Sequence, residues 1–325
     1  SASLDMHPYI YIEDDRFVGE CTTEQDLLFI TRDYRPERYG DNSGPAHADF
    51  VAEEVLPVIT RNTVDYIDEQ SHDSPFFACM SLTAPHIPIV PSSAYQGISD
   101  LGPYGDFCIE VDDSIGKVLD ALDRNGFAEN TLVIFTADNG CAPYIGVEDM
   151  NAQGHYPSFI YRGYKSDIYE GGHRIPFLAR WPSTISAGND STETICLTDL
   201  LATLGAILEV EIPADAGEDS YNILPALLGQ SLDTPIREAT ISTAGSGAFS
   251  IRQGRWKLEM TPSSGGYGNL SAAEAERQNL PPIQLYDLQN DIGETTNVYA
   301  DHPEIIAGLN ALLERYQSTG RSTPG

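Results

Sequence analysis

The sequence contains little positive charge. Its 325 residues include 18 Lys and Arg but 49 Asp and Glu, which gives a formal net charge of -31. Sequence-independent binding to nucleic acid or to anionic membranes needs a basic surface, so this composition excludes both kinds of partner. An anionic substrate is also repelled by the chain as a whole, and it can bind only where a few cations are concentrated.

The sequence also lacks paired cysteines and long apolar runs. Its five cysteines include no Cys-x-x-Cys pair, which excludes a disulfide framework and a typical zinc site and favours buried free thiols. No apolar run is long enough to cross a membrane. With 41% hydrophobic residues, the chain can nevertheless bury the cores of one large domain and a small one.

Two apolar runs of strand length flank a helical pattern. Residues 76–82 and 132–135 are almost unbroken apolar segments, as in strands that are covered on both faces of a parallel sheet. Between them, the apolar residues of 106–125 recur on one helical stripe. The order strand, helix, strand predicts a βαβ unit, and residues 175–181 predict a further strand.

Helices are predicted before and after this unit. Apolar residues recur every three to five positions in residues 48–70, which indicates a helix, and Pro57 predicts a kink or a restart within it. Residues 197–208 and 223–228 predict two more helices.

The pattern changes near residue 235. Residues 249–260 alternate about a central turn, as an antiparallel hairpin does. Residues 285–288 predict a third strand, and residues 303–316 predict an amphipathic helix. This stretch is typical of a small antiparallel sheet with one helix.

These patterns together predict an α/β fold. Residues 1–235 are expected to form a mixed, largely parallel sheet flanked by helices, and residues 236–325 a small α+β subdomain. The carboxyl ends of parallel strands meet at one edge of a sheet, where ligand sites of open α/β folds form. His86 follows the first apolar run, and Asp138 and Asn139 follow the second. The sequence therefore predicts that these three side chains share one edge of the sheet.

Each of these residues has a second interpretation. Asp138 and Asn139 offer hard oxygen ligands of the kind that Ca²⁺ and Mg²⁺ prefer, but Asp-Asn-Gly is also a common turn sequence. A single His such as His86 is more often a structural hydrogen-bonding residue than a catalytic one. The residues alone leave both alternatives open.

Several of the few cations cluster in one segment. Arg162, Lys165, His173 and Arg174 lie within thirteen residues, and a locally positive region of this kind is what an anionic ester needs. Lys165 is the candidate anion ligand, although an exposed Lys is usually a solvated surface charge. Glu170 and Arg174 are expected to form an internal ion pair.

The segment between the Asp-Asn pair and Lys165 is rich in Gly, Pro and aromatic residues. Segments of this composition often line substrate pockets. Tyr144, His155, Tyr156 and Arg162 are therefore candidate substrate-binding residues. The alternative is that the loop is merely packed surface.

Three segments, taken together, resemble a known active site. Residues 83–86 (Thr-Ala-Pro-His), 136–140 (Thr-Ala-Asp-Asn-Gly) and 163–176 match, in order and spacing, the later half of the active site of the type I sulfatases. These enzymes are a branch of the alkaline phosphatase superfamily. The resemblance covers nearly the whole chain, including a tail at residues 285–297 that follows the usual sulfatase ending.

The resemblance implies roles for individual residues. Asp138 and Asn139 would supply part of a Ca²⁺ site, His86 would contact the sulfate ester and assist the leaving group, and Lys165 would bind the sulfate. The implied reaction is hydrolysis of a sulfate monoester. The implied substrates are sulfated carbohydrates or aryl sulfate esters, and the implied location is periplasmic or secreted.

The sequence departs from the sulfatases by omission. Their attacking group is a formylglycine made from a Cys/Ser-x-Pro-x-Arg motif, and residues 141–143 (Cys-Ala-Pro) come closest but have Ile145 where Arg is required. The two acidic Ca²⁺ ligands that the family has near its N-terminus also lack counterparts. The chain is therefore expected to be a C-terminal portion of a sulfatase, with formylglycine upstream of it, weak Ca²⁺ binding and no activity of its own.

Two other functions remain open. The first is a phosphodiesterase or phosphonate hydrolase of the same superfamily, which the missing nucleophile segment would distinguish. The second is a non-catalytic remnant that binds sulfate esters.

Overall fold

The computed structural model describes residues 4–27, 43–267 and 270–323. The chain forms two compact units. The first comprises Ser1–Glu129 and Tyr144–His155, and the second comprises Asn130–Pro143 and Tyr156–Gly325.

The first unit is built on two packed helices, α1 (Val55–Asp68) and α2 (Pro103–Arg124). Each helix buries one apolar side, which includes Leu56 on α1 and Phe107 and Leu122 on α2. The remaining elements of this unit are short: β1 (Ile12–Glu13), β2 (Arg16–Phe17), β3 (Thr23–Gln25), β4 (Gly44–Ala46) and α3 (Val147–Ala152).

The ends of α2 follow from its sequence. Pro103 is the first helical residue, where the missing N–H of proline costs nothing. Gly126 has a φ of 74°, in the left-handed region that terminates many helices. The predicted helix at 106–125 is confirmed, and it begins three residues earlier.

The second unit begins with an antiparallel pair, β5 (Val133–Thr136) and β6 (Phe177–Arg180). Thr136 pairs with Phe177, so the end of β5 lies beside the start of β6. Three short helices accompany this pair: α4 (Glu170–His173), α5 (Leu200–Ile207) and α6 (Leu224–Leu227).

The rest of the second unit is a four-stranded antiparallel sheet covered by a helix. The strands run in the order β10-β9-β8-β7, and α8 packs on one face. Ile251, Leu258 and Leu285 on that face are fully buried against Leu309 and Leu313 of α8. The elements are β7 (Thr240–Thr243), β8 (Phe249–Gln253), β9 (Trp256–Glu259), α7 (Ala272–Arg277), β10 (Gln284–Asp287) and α8 (Pro303–Thr319). The predicted hairpin, third strand and helix are confirmed.

The predicted βαβ unit is wrong. Residues 76–82 form no strand, and Phe77 is 75% exposed. An apolar run becomes a strand only when another strand offers it hydrogen bonds, and no strand of the described ranges pairs with this one. Every pair of named strands in those ranges is antiparallel, and a parallel bridge joins Tyr9 to Ala46. The largely parallel sheet is therefore not found there.

The remaining predictions concern helices and boundaries. The helix predicted at residues 48–70 is a 3-10 helix (Ala52–Glu54) followed by α1 from Val55, which matches the predicted restart rather than a kink. Pro57 lies in the first turn of α1, where proline is tolerated. The predicted helices at 197–208 and 223–228 correspond to α5 and α6. A domain boundary at residue 235 stays a prediction. No helix within the described ranges combines the length and apolarity of a membrane span.

Candidate functional site

Asp138 and Asn139 lie in a loop directly after β5, here called the Asp-Asn loop (residues 137–141). The Thr136 hydroxyl donates to the Pro176 carbonyl at 2.9 Å, which fixes the start of this loop beside β6. The Asn139 amide nitrogen donates to the Gly140 carbonyl at 2.9 Å, and Asp138 is exposed to solvent.

Lys165 lies in a second loop that is joined to the first, here called the Lys165 segment (residues 162–170). The Lys165 N–H donates to the Cys141 carbonyl at 2.8 Å, and the Gly140 N–H donates to the Gly172 carbonyl at 3.0 Å. These bonds place the backbone of Lys165 beside the Asp-Asn loop. Lys165 is half-buried, and its ammonium forms no ion pair with any other described residue.

Two close contacts between backbones in this region leave no space for a side chain. A Cβ added to Gly140 would lie 1.8 Å from the Gly171 carbonyl oxygen, and one added to Gly171 would lie 2.3 Å from the Gly163 carbonyl oxygen. Real Cβ contacts do not come under 3.0 Å. The glycines at 140 and 171 are therefore required by contact between backbones rather than by a positive φ.

Glu170 is the most heavily paired side chain in this region. Its buried carboxylate lies 3.1 Å from Lys257 Nζ, 3.2 Å from Arg174 Nη1 and 3.4 Å from His173 Nε2. Burial raises the pKa of Glu170, but the hydrogen bond from His173 and the charge of Lys257 outweigh it and hold that pKa far below its usual range. Glu170 is therefore a fixed anion at neutral pH, and the predicted Glu170 to Arg174 ion pair is confirmed.

These pairs leave Lys165 as the available cation of the predicted cluster. His173 and Arg174 are paired with Glu170. Arg162 donates Nη1 to the Tyr286 hydroxyl at 3.1 Å and to the Glu294 carbonyl at 2.7 Å. Arg162 also lines a cavity of about 390 Å³ in this unit. Its role in substrate binding stays a prediction.

Three predicted residues belong to the first unit. His86 is half-buried, and its Nδ1 lies 2.9 Å from the Ile87 carbonyl. Tyr144 is buried, whereas His155 is exposed just after α3. Tyr156, which begins the second unit's longer segment, is exposed. The sequence predicts that His86 and the Asp-Asn pair share one edge of a sheet because they follow two strands of a βαβ unit. That unit is not found, so this argument no longer supports the prediction. The roles of these residues stay predictions.

Cys141 has the surroundings of a structural thiol. Its Sγ lies 3.1 Å from the Ser158 hydroxyl. Burial raises the pKa of the Cys141 thiol above its usual value, which disfavours the reactive thiolate. This agrees with the absence of a nucleophile motif at residues 141–145.

The described ranges contain no complete metal site. No group of three or more His, Cys, Asp or Glu side chains is arranged there to hold a metal ion. The Asp138 carboxylate and the Asn139 amide oxygen are hard donors that suit Ca²⁺, which takes six to eight oxygen ligands. The donor chemistry fits, but these two residues would need further ligands.

The face of the four-stranded sheet opposite α8 was not recognised from the sequence. It is here called the polar face, and its residues are Ser250, Arg252, Lys257, Glu259, Gln284 and Tyr286. Lys257 and Glu259 are 1% and 0% exposed. Charged residues that alternate with apolar ones normally indicate a solvated face. Nothing in the sequence distinguished these buried charges from solvated ones.

Comparison with known proteins identifies the family. The sulfatase family model matches residues 29–210, which is more than half of the chain. The chain belongs to the sulfatase family. This sulfatase chain is 34% identical over 280 residues to the N-acetylgalactosamine-6-O-sulfatase of Bacteroides thetaiotaomicron, covering 85% of the chain and 54% of that protein. It is 30% identical over 276 residues to the human N-acetylgalactosamine-6-sulfatase, covering 80% of the chain and 52% of that protein.

The sulfatase chain spans about half the length of these curated relatives. A solved Bacteroides thetaiotaomicron structure, from work on the metabolism of multiple glycosaminoglycans, is 29% identical with a TM-score of 0.80 and covers 98% of this chain and 71% of that one. A sulfatase from Pseudoalteromonas sp. has a TM-score of 0.66 at 23% identity, covering 86% and 57%, and shows likeness of fold alone. The sulfatase chain therefore has the mixed α/β fold of alkaline-phosphatase-like sulfatases.

Proposed function

We propose that this sulfatase chain carries the substrate-binding half, and part of the metal-binding half, of a sulfuric ester hydrolase. The observation that supports this most directly is that the backbone of Lys165 lies beside the Asp-Asn loop, while its ammonium forms no ion pair with the residues that the structure describes. A half-buried cation attracts an anion more strongly than a fully solvated one does, because water screens it less. In a chain with a net charge of -31, a cation left without an anionic partner among the described residues is well suited to binding an anionic substrate.

The proposed substrate is a carbohydrate that carries a 6-sulfated N-acetylgalactosamine. Two relatives are named for that ester, at 34% and 30% identity. Lys165 would bind the sulfate oxygens, and His86 would donate a proton to the leaving alcohol. Arg162, His155 and Tyr144 stay candidate contacts to the sugar.

Ca²⁺, when bound, would neutralise charge on the sulfate, and Asp138 and Asn139 would supply two of its oxygen ligands. The attacking group is not among the residues of this chain. We propose that it is a formylglycine in a segment upstream of the chain and that the isolated chain binds the ester without hydrolysing it. A periplasmic or secreted location belongs to the same proposal.

We also propose that the largely parallel sheet expected from the sequence forms in the complete enzyme. In the second unit, Leu178 of β6 is 63% exposed, and in the first unit Phe77 is 75% exposed. Apolar side chains in strand-like runs are costly to leave in water, at about 25 cal/mol per Å². Further strands alongside them in the complete enzyme would bury them.

Isothermal titration calorimetry tests the binding proposal. The chain should bind N-acetylgalactosamine 6-sulfate, and Lys165→Ala should weaken that binding at least about tenfold, since a hydrogen bond to a charged group contributes about 1.5–3 kcal/mol. Lys117→Ala is the control, because Lys117 lies on the exposed surface of α2 and pairs with Asp113. Equal affinities of the wild type and Lys165→Ala, or no binding by the wild type, would refute the proposal.

A turnover assay separates the remaining functions. We expect no release of p-nitrophenol from either p-nitrophenyl sulfate or p-nitrophenyl phosphate. Hydrolysis of the phosphate ester would favour the phosphodiesterase class, and hydrolysis of the sulfate ester would show that the chain is complete in itself.

A further inference from the structure

The polar face of the C-terminal sheet is buried beneath the Lys165 segment. Ile168 and Tyr169 of that segment pack with Tyr286 of β10 in one hydrophobic cluster. Lys257 Nζ lies 3.1 Å from a Glu170 carboxylate oxygen. The sheet and the segment therefore form a single packed body within the second unit.

Glu294 connects this sheet to both ends of the Lys165 segment. At one end, its carboxylate accepts a hydrogen bond of 2.7 Å from the Glu170 N–H. At the other end, its carbonyl accepts a hydrogen bond of 2.7 Å from Arg162 Nη1. The second carboxylate oxygen accepts a hydrogen bond of 2.8 Å from Lys257 Nζ.

The base of the segment is closed by a further bond. The Gly171 N–H donates to the Arg162 carbonyl at 2.7 Å, so the chain forms a loop whose two ends meet. Lys165 lies on this loop, and Glu294 holds it at its base. A segment that is held at both ends has few alternative conformations. Less conformational entropy is therefore lost when a ligand binds to Lys165.

The position of Glu294 is energetically unfavourable in two respects, its burial and its backbone conformation. It is completely buried and has a φ of 50°, an uncommon value for a residue with a side chain. Burying a carboxyl group is less costly when its oxygens are hydrogen-bonded, as both oxygens of Glu294 are. Backbone strain of this kind persists only where the surrounding contacts enforce it.

We infer that Glu294 is a positioning residue that fixes the Lys165 segment so that Lys165 is held ready for the sulfate group. This inference rests on the proposed function in one respect only, the identity of the anion. Glu294 itself touches no substrate in this scheme, and it acts through the Glu170 amide and the Arg162 side chain.

Hydrogen exchange measured by mass spectrometry tests the inference on the whole chain. In Glu294→Ala, amides of residues 162–174 should exchange at least tenfold faster than in the wild type, whereas those of β7 and β8 should be unchanged. Glu294→Gln keeps one acceptor oxygen and should fall between the two. Glu314→Ala, an exposed Glu on α8, is the matched control and should match the wild type.

Ligand affinity supplies the second measurement. Glu294→Ala should bind N-acetylgalactosamine 6-sulfate at least tenfold more weakly, with partial recovery in Glu294→Gln. Unchanged exchange in residues 162–174, or equal acceleration across the whole sheet, would overturn the positioning role. If Glu294→Ala does not fold, Glu294→Gln alone decides between these outcomes.

The two proposals can fail separately. A wild type that binds no sulfated sugar refutes the proposed function, and the exchange rates still decide whether Glu294 holds the segment. A wild type that binds, with an affinity that Glu294→Ala retains, refutes the positioning role and leaves the proposed function intact.

Discussion

The sequence singled out some candidate functional residues of the second unit and missed others. Lys165 stood out in the sequence because cations are scarce, and the structure places its backbone against the Asp-Asn loop. Glu259 did not stand out among 49 acidic residues, and Glu294 was noted only as part of the sulfatase-like tail at residues 285–297, although both are fully buried. Burial of a charge depends on partners far along the chain, and one sequence does not show those partners.

Glu259 offers a test of how burial affects an acidic side chain. Its carboxylate oxygens form no hydrogen bond with the described residues, and Lys257 Nζ lies 3.4 Å away. Burial, reinforced by the neighbouring Glu294, raises the pKa of Glu259 well above its usual range despite Lys257. The charged groups Lys257 and Glu294 and the phenols of Tyr169 and Tyr286 surround it.

We expect Glu259→Gln to stabilise the protein increasingly as pH rises. Because the folded state holds a proton that the unfolded state releases above the ordinary Glu pKa, wild-type stability is lost as pH rises toward the raised value. Glutamine has no proton to lose, so the difference should grow by up to about 1.4 kcal/mol per pH unit. Urea unfolding between pH 5 and pH 8 measures it, with Glu314→Gln as a control. A difference independent of pH would contradict the expectation.

Secondary-structure elements were predictable where the reason for them is local. The hairpin β8 and β9, the strand β10 and the helix α8 all follow from alternation or helical periodicity in their own residues. Residues 76–82 carry an equally clear apolar pattern but have no strand beside them in the described ranges. Strand formation needs a partner, and the pattern of one segment contains no information about whether that partner is present.

The packing of α8 on the sheet can be tested at Leu258. This side chain is fully buried between Ile251, Leu285 and α8. Leu258→Ala removes its methyl groups and leaves a cavity, so the free energy of unfolding should fall by about 2–5 kcal/mol. Met260→Ala, at the partly exposed position just after β9, should lower it by less than about 1 kcal/mol. Equal losses in urea unfolding would show that α8 does not cover this face.

The whole molecule is dominated by its negative charge, and this affects binding at long range. Charges more than a Debye length apart are screened, and that length is about 10 Å at 0.1 M salt. The 49 acidic residues together repel a sulfate ester at long range, whereas Lys165 would contact it directly. The candidate site therefore works against the field of the protein that contains it.

Raising NaCl from about 20 to 200 mM should strengthen the binding of N-acetylgalactosamine 6-sulfate, because the long-range repulsion is screened before the direct contact is. Calorimetry at several salt concentrations would show it. Unsulfated N-acetylgalactosamine should show no such dependence. Affinity that falls steadily with salt would mean that the local cations outweigh the net charge.

The hydrogen bond between the Glu170 N–H and the Glu294 carboxylate also has a consequence for biosynthesis. The two residues are 124 positions apart. At a synthesis rate of about 5–20 residues per second, Glu294 leaves the peptidyl transferase centre roughly 6–25 s after Glu170. During that interval the Lys165 segment lacks the contact that closes its base, so nascent chains arrested before residue 294 would carry the sulfate-binding sequence in an unassembled form.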